Sequence, residues 1–253
     1  MVNNQKVFIL GMAKSGFAAA KLLASSNTVV ITDQKSQNPL ELRELEQLGV
    51  SFIQSEHQEE LLDSSFQLVV KNPAIPEKNP VIEKARKLNI PVINEMELAY
   101  HYLPNGVNLI GITGSNGKTT TTTLIGRMLE SDGRRTFVGG NIGVPFSSFV
   151  RDVKPNDMVV LEVSDHQLCD MYEFQTNVSV LTNIFKVHLD FHGSFERYKE
   201  MKKKIFAHHN RYQTAIINLD DEESLVLTSD IESTKEYFSK YQTATCYIKE
   251  NAI

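Results

Sequence analysis

The chain has few cysteines and no long apolar run, and both features narrow its class. Its 253 residues include only Cys169 and Cys246, whose wide separation excludes a Cys-x-x-Cys metal or redox motif. Such sparse cysteine use favours a reducing, cytoplasmic setting. No stretch approaches the roughly 20 apolar residues that cross a bilayer, so we expect no membrane partner. The apolar run Val7–Leu10 is too short for a signal peptide and predicts a first strand.

Basic residues are not in excess either. The 26 lysines and arginines against 31 aspartates and glutamates give a net charge of −5 at pH 7, which argues against nucleic acid as a partner. A hydrophobic content of 41% and a charged content of 23% are ordinary for a globular protein. The length suffices for one or two domains. We expect a monomer.

Strand and helix patterns alternate along the chain, which predicts an α/β fold with parallel sheets. In the first part the predicted strands are Lys6–Leu10, Thr28–Thr32, Phe66–Val70 and Pro91–Ile93, and the predicted helices are Phe17–Ala24, Leu40–Leu48 and Val81–Leu88. A short helical segment, Glu95–Leu103, stops at the turn Pro104-Asn105-Gly106 and contains the domain boundary. We therefore predict a Rossmann-like domain at residues 1–97 and a second α/β domain at 98–253.

The second part continues the alternation. Its predicted strands are Val107–Ile112, Met158–Leu161, Val178–Thr182, Ala215–Asn218 and Ala244–Ile248. A domain with this pattern normally needs further elements after its last strand. We therefore expect a fragment whose second domain is incomplete at the C-terminus.

The segment Gly114–Thr119 has the pattern of a phosphate-binding loop. It follows a predicted strand and precedes a helical pattern, so backbone N–H groups and the helix dipole would favour a phosphate there. Lys118 would contact the outer phosphates of ATP, and the Thr119 hydroxyl would bind Mg²⁺. The loop is a variant because Ile112 stands where the strict pattern has glycine; the alternative is a turn that happens to precede a lysine. The domain at 98–253 is therefore predicted to be a P-loop-type ATP-binding α/β domain. The expected nucleotide-binding residues are Gly114, Ser115, Asn116, Gly117, Lys118, Thr119 and Thr120.

A second turn, Gly11–Gly16, resembles a dinucleotide fingerprint without its middle glycine. Ala13 stands where glycine would let the backbone approach a pyrophosphate, which argues against NAD. Asp33 ends the second predicted strand, where an acid would meet a ribose hydroxyl. The residues alone leave nucleotide binding and a purely structural turn both open.

Several residues are candidate metal ligands. Glu162 ends a predicted strand, where an acid would meet Mg²⁺ directly or through water; the alternative is a strand-end acid that faces solvent. His188, Asp190 and His192 alternate as metal ligands can, but such alternation also occurs in ordinary loops, and Mg²⁺ prefers oxygen. The residues alone leave that second site open.

Lys202 falls within an apolar stripe of the helix predicted to begin at Ser194. The stripe consists of Phe195, Tyr198, Met201, Ile205 and Phe206. A lysine on this face is costly unless it is neutral, paired or modified. A lowered pKa would leave a nucleophilic amine able to take up CO₂ as a carbamate, which is an oxygen ligand for metal. Lys203 and Lys204 point away from the stripe and form a solvated basic face.

Together these segments resemble the Mur ligases, the ATP-dependent amide-bond ligases of peptidoglycan precursor synthesis. Matching motifs occur in the family's order at Gly111–Thr120, Gly139–Gly143, Glu162–Ser164, Leu181–Asn183 and His188–Asp190. The N-terminal segments most similar to the members that add D-glutamate are Leu10–Gly16, Val70–Pro76 and Asn94–Leu98. The resemblance covers essentially the whole chain, but no part of the chain matches the family's C-terminal domain.

The resemblance implies a reaction and a set of roles. ATP would phosphorylate the carboxylate of UDP-N-acetylmuramoyl-L-alanine, and the amine of D-glutamate would then attack. Catalytic roles are implied for Lys118, His188 and carbamylated Lys202, and metal ligation for Thr119, Glu162, His188 and Lys202. Contacts with the nucleotide-sugar substrate are implied for Asn141 and Ser164, and contacts with its UDP part for Lys14, Ser15, Asp33 and Asn72.

The chain departs from the D-glutamate-adding pattern near the expected substrate pocket. Ser164-Asp165-His166-Gln167-Leu168 stands where those members usually have Ser-Ser-Phe-Gln-Leu, and its histidine is similar to members that add the third residue. Ala74 replaces a glycine. The alternatives are a ligase for a different amino acid, a nucleotide and UDP-sugar-binding module without ligase activity, and an NAD-linked oxidoreductase, which Ala13 disfavours.

Overall fold

The computed structural model describes residues 1–187 and 189–248, which form two compact units. The first unit comprises residues 1–103, 143–152 and 170–172, and the second contains the remaining described residues. Two segments of the first unit thus lie within the sequence range of the second. The predicted boundary after residue 97 stays a prediction.

The first unit is built on a five-stranded parallel sheet with the order β3-β2-β1-β4-β5. Its strands are β1 (Lys6–Leu10), β2 (Thr28–Asp33), β3 (Ser51–Gln54), β4 (Leu68–Lys71) and β5 (Val92–Asn94). Its helices are α1 (Lys14–Ala24), α2 (Pro39–Gln47), α3 (Pro80–Lys87) and α4 (Glu95–Tyr100), with 3₁₀ turns at Gln58–Leu61, Phe146–Ser148 and Val150–Asp152. Asn38 and Asn79 cap α2 and α3, each of which begins with proline, a residue suited to the first helical position.

Buried polar contacts tie the two short segments to the first unit. The Lys71 ammonium lies 2.7 Å from the Asp170 carboxylate, and both side chains are almost fully buried. Glu95, at the start of α4, accepts a hydrogen bond from the Ser147 backbone N–H. Residues 143–152 and 170–172 are therefore held by charge and hydrogen bonding as well as by packing.

The second unit is built on a seven-stranded parallel sheet with the order β12-β11-β10-β9-β6-β8-β7. Its strands are β6 (Asn108–Thr113), β7 (Thr136–Gly140), β8 (Met158–Glu162), β9 (Val178–Leu181), β10 (Thr214–Asn218), β11 (Thr234–Ser239) and β12 (Cys246–Tyr247). Its helices are α5 (Lys118–Ser131), α6 (Asp165–Cys169), α7 (Leu189–His192), α8 (Phe195–Lys203) and α9 (Glu222–Leu227), with a 3₁₀ turn at Lys204–Phe206.

The order of the second sheet places the candidate site. Strand β6 lies between β8 and β9, so the chain continues to one side of β6 through β7 and β8, and to the other side from β9 onward. In open α/β sheets, ligands bind beyond the carboxyl ends of the strands at such a switch point.

The predicted α/β fold with parallel sheets is confirmed. Among the described residues, no helix is both long and apolar enough to span a bilayer.

Candidate active site

The phosphate loop adopts a backbone that its glycines make possible. Gly114 has φ +147°, and a Cβ there would come within 1.9 Å of the Thr182 hydroxyl oxygen. Gly117 has φ +83° and directly precedes the first residue of α5. Both conformations are unfavourable for residues with a side chain. The loop therefore turns tightly from β6 into α5, as the sequence pattern predicts.

The residues that follow β9 hold the loop in place. The Ser115 N–H donates to the Asn183 carbonyl at 2.9 Å, and the Asn116 N–H donates to the Asn183 side-chain oxygen at 2.9 Å. The Thr182 hydroxyl donates to the Asn116 carbonyl at 2.7 Å. The motif that ends at Asn183 thus supports the loop, a role that sequence reasoning did not assign.

Lys118 is folded over the loop. Its ammonium donates to the carbonyl oxygens of Gly114 and Ser115 at 2.9 and 3.0 Å. The positive charge is therefore at the phosphate loop, where an outer phosphate of a nucleotide would need it.

Thr119 and Glu162 meet at the carboxyl ends of β6 and β8. The Thr119 hydroxyl donates to Glu162 Oε2 at 2.6 Å, and Asn141 Nδ2 donates to Oε1 at 2.8 Å. Glu162 is 2% exposed, so the alternative of a solvent-facing acid is wrong. Gly140 permits this packing, because a Cβ there would lie 2.3 Å from the Glu162 carbonyl oxygen. The donor set of hydroxyl and carboxylate oxygens suits Mg²⁺.

Lys202 is fully buried, as the apolar stripe predicts. Its ammonium lies 3.5 Å from Asp165 Oδ1, 3.4 Å from the Thr113 hydroxyl and 4.9 Å from the centre of the Tyr198 ring. Burial lowers the pKa of Lys202 from 10.5 to about 8, although the Asp165 carboxylate opposes this shift. The amine is therefore much easier to deprotonate than an ordinary lysine. Its carbamylation stays a prediction.

Asp165 is a site residue that sequence reasoning missed. It is buried at the start of α6, where its Oδ2 lies 2.6 Å from His192 Nε2 and 3.2 Å from His166 Nδ1. His192 is buried as well, whereas Asp190 of the same short helix is exposed. The third member of the predicted alternation, His188, lies outside the described residues. The indication of this site in the sequence was the departure of Asp165 and His166 from the pattern of the D-glutamate-adding members.

Ser164 caps α6. Its hydroxyl and its backbone N–H both donate to the Gln167 side-chain oxygen, at 3.0 and 2.9 Å. Its predicted contact with a substrate, like that of Asn141, stays a prediction.

In the first unit, the turn after β1 gathers the predicted UDP-binding residues. The Met12 N–H donates to Asp33 Oδ2 at 2.8 Å, and Asn72 Nδ2 donates to the Ser15 hydroxyl at 3.3 Å. Lys14 is exposed and lines a cavity of about 350 Å³. The ends of β1, β2 and β4 thus bring these side chains to one edge of the sheet, and their contacts with a ligand stay predictions.

A glycine loop on a central parallel strand, with Lys118 over it and an acid at the end of the neighbouring strand, defines a P-loop-type nucleotide-binding protein. The chain belongs to the Mur ligase family. Residues 112–252 match the family model of the Mur ligase middle domain, and residues 5–94 match that of the N-terminal domain of the MurD-like Mur ligases. The resemblance predicted from the motifs is confirmed.

Relatives of known name cover the whole chain. It is 44% identical to the UDP-N-acetylmuramoylalanine–D-glutamate ligase of Geobacillus kaustophilus over 255 residues, which are 99% of this chain and 56% of that protein. The Streptococcus pyogenes ligase of the same name is 41% identical over 254 residues, which are again 99% and 56%. The chain therefore spans about half the length of the curated relatives it matches.

Solved structures show the same fold. UDP-N-acetylmuramate:L-alanyl-gamma-D-glutamyl-meso-diaminopimelate ligase from Neisseria meningitides has a TM-score of 0.62 at 18% identity, covering 93% of this chain and 78% of that one. UDP-N-acetylmuramate-alanine ligase from Thermotoga maritima has a TM-score of 0.59 at 23% identity, covering 97% and 55%. At these identities the likeness concerns the fold.

Proposed function

We propose that this chain carries the nucleotide-binding and carboxylate-activating part of a ligase that joins D-glutamate to UDP-N-acetylmuramoyl-L-alanine in the cytoplasm. The observation that carries the proposal is the contact of Thr119 with Glu162 beside the loop that holds Lys118. This is the arrangement that a nucleotide triphosphate and its metal require. The names of the relatives supply the acceptor and the amino acid.

The proposed chemistry activates a poor electrophile. An oxygen of the substrate carboxylate attacks the γ-phosphorus of ATP, the bond to the β-phosphate oxygen breaks, and ADP leaves. The amine of D-glutamate then attacks the acyl carbon of the acyl phosphate, releasing inorganic phosphate and a proton. Lys118 and the loop N–H groups stabilise the charge that develops on the transferred phosphoryl group.

Thr119 and Glu162 are the residues proposed to hold Mg²⁺, because their oxygens already lie 2.6 Å apart. Bound there, Mg²⁺ supplies charge neutralisation for phosphoryl transfer. We assign a second metal position to His188 and to Lys202 as its carbamate. The neutral Lys202 amine would attack CO₂, forming an N–C bond and losing a proton. Its low pKa supports this step at neutral pH.

The first unit is proposed to bind the UDP part of the substrate. Lys14, Ser15, Asp33 and Asn72 would contact it at the edge of the first sheet, within a domain of residues 1–97. Asn141 and Ser164 would contact the nucleotide-sugar substrate from the ATP-binding domain of residues 98–253. The remaining loop residues proposed to contact ATP are Gly114, Ser115, Asn116, Gly117 and Thr120. The protein is proposed to act as a monomer.

Calorimetry on this chain tests the substrate assignment. UDP-N-acetylmuramoyl-L-alanine should bind saturably, and Asp33→Ala should weaken binding while Asp63→Ala, a change on an exposed loop, should not. NAD is the rival ligand. Binding of NAD without binding of the UDP-sugar would refute the proposal for the first unit.

The amino acid is tested separately in the full-length protein. Release of ADP should depend on both D-glutamate and the UDP-sugar. A panel of amino acids tests whether the departure from the family pattern at Asp165 and His166 changes which amino acid is joined. Preference for another amino acid would keep the reaction class and overturn the assigned specificity. No ADP release with any amino acid would overturn the ligase.

A further inference from the structure

Asp165, His166 and His192 form a cluster that the proposed ligase chemistry does not use. One carboxylate oxygen and two imidazole nitrogens all lie within 4.8 Å of one another. Asp165 and His166 come from α6, and His192 comes from α7, so the cluster joins two helices through residues 165 and 192, which are 27 positions apart in the chain.

The spacing of these atoms suits a metal ion. Ligand atoms that bind one metal at about 2.0–2.1 Å lie roughly 3.0–3.4 Å apart. Asp165 Oδ2 lies 2.6 Å from His192 Nε2 and 3.2 Å from His166 Nδ1. The ligand atoms of His166 and His192 lie within 4.8 Å of each other. A closer approach of these two rings, with movements of a few tenths of an ångström at Asp165 and His192, would bring all three side chains around one ion.

We propose that Asp165, His166 and His192 bind a divalent transition-metal ion of the class represented by Zn²⁺ and Co²⁺. Two imidazole nitrogens and one carboxylate are a ligand set for such ions, whereas Mg²⁺ prefers an all-oxygen set. The His166 side chain is 25% exposed, while those of the other two are buried, so an ion would enter on the His166 side. The ion would link α6 to α7.

The charges around the cluster affect how tightly it would bind a metal ion. Lys202 lies 3.5 Å from Asp165 Oδ1, the oxygen that the metal would not use, and its positive charge opposes a cation. The Asp165 carboxylate is therefore shared between Lys202 and the metal. A bound ion would weaken the hold of Asp165 on Lys202, so the site would couple transition-metal binding to the surroundings of that lysine.

Spectroscopic titration of this chain with Co²⁺ tests the proposal. Co²⁺ bound by nitrogen ligands gives visible absorption, which should saturate at one ion per chain and persist in roughly hundredfold excess of Mg²⁺. His166→Phe should weaken binding by at least about tenfold, because loss of a supporting group alone costs 10- to 100-fold. The Phe191 ring, centred 4.0 Å from the His166 ring, gives the new phenyl group a packing partner.

Matched controls separate this cluster from other sites. His57→Phe removes an exposed histidine of the first unit and should leave the titration unchanged. Glu162→Gln should also leave it unchanged, because Glu162 belongs to the oxygen site at the phosphate loop. Asp165→Asn should weaken binding as His166→Phe does, and circular dichroism checks that each variant is folded.

Three results would overturn the proposal. They are the absence of a saturable band, a band that Mg²⁺ removes, and a band of wild-type affinity in folded His166→Phe and Asp165→Asn. In each case the two histidines would serve only as hydrogen-bond partners of Asp165.

Discussion

The Thr119 hydroxyl donates to Glu162 Oε2 across 2.6 Å, joining the first turn of α5 to the carboxyl end of β8. Asn141 holds the other carboxylate oxygen, and the glutamate is almost fully buried. The Glu162 carboxylate is therefore fixed beside the phosphate loop by one group in the first turn of α5 and one group just after β7. Such pre-organisation is what a phosphoryl-transfer site requires, because the protein contributes mainly by positioning and charge.

Lys118→Ala should nearly abolish turnover of the full-length protein. Loss of a charge that stabilises the transferred phosphoryl group costs about 10³-fold or more in rate. Steady-state ADP release measures the effect. Lys154→Ala, which removes an exposed lysine of the same unit, should keep the wild-type rate. Activity of Lys118→Ala within about tenfold of wild type would contradict the assignment.

Lys202→Ala should lose activity that formate or acetate partly restores. These small carboxylates can supply the oxygen ligand that the carbamate would provide in the wild type. The control is Lys203→Ala. The Lys203 side chain pairs with Asp230 at the surface, so this variant should keep its activity without added formate or acetate. Wild-type rates in Lys202→Ala without additives would refute the carbamate, and circular dichroism checks that the variant is folded.

Glu95 should make the first unit less stable as the pH rises. Burial raises the pKa of Glu95 from 4.5 to about 7, although the Ser147 hydrogen bonds oppose the shift. The pKa of Glu95 is higher in the folded state than in the unfolded state. The contribution of protonated Glu95 to the free energy of unfolding is therefore complete below about pH 4.5 and is lost as the pH rises through 7. The loss amounts to roughly 3 kcal/mol.

Urea unfolding at several pH values measures this effect. Glu95→Gln stays neutral and should remove the fall in unfolding free energy above about pH 5. Glu56→Gln, a change at an exposed position, should keep it. Identical pH profiles for wild type and Glu95→Gln would contradict the prediction.

His209 should give the second unit the opposite pH dependence, making it less stable as the pH falls. It is buried between Thr176 and Ser233, whose hydroxyls lie 2.9 Å from its ring nitrogens, and burial lowers its pKa from 6.5 to about 4. The unfolded chain takes up the proton first, so stability is complete above pH 6.5 and falls as the pH drops towards 4. Acid unfolding of His209→Gln should show a flatter profile than the wild type. His57→Gln, a change at an exposed histidine, should match the wild type.

The central strands could be predicted because they are continuous apolar runs. Strands β1, β4, β6 and β8 lie inside parallel sheets, and consecutive residues along them are buried, as is typical of strands with both faces covered. Strands β3, β7 and β11 were missed. Strands β3 and β7 are edge strands: β3 has mostly polar or exposed residues, and β7 ends in two glycines. Strand β11 lies between β10 and β12, but only its last residue is buried, so it lacks the apolar run of a central strand. An edge strand needs less apolar surface, so its sequence gives a weaker signal.

The residues of the candidate site differ in the same way. Some belong to contiguous sequence motifs, and others are brought together only by the fold. The phosphate loop is one contiguous motif, and the strand-end position of Glu162 is visible from the run that precedes it. The contact of Asp165 with His192 joins positions 27 residues apart, so no local pattern contains it. The helix α6 that carries Asp165 has only five residues, too few for a helical period to be recognised.

The segmented first unit has a consequence for inheritance. Recombination between related genes that exchanged only residues 1–103 would bring in Lys71 without its own Asp170. A buried charge that loses its partner costs about 3–5 kcal/mol, a large fraction of the stability of a typical domain. Functional hybrids should therefore be those in which all three coding stretches of this unit come from one parent.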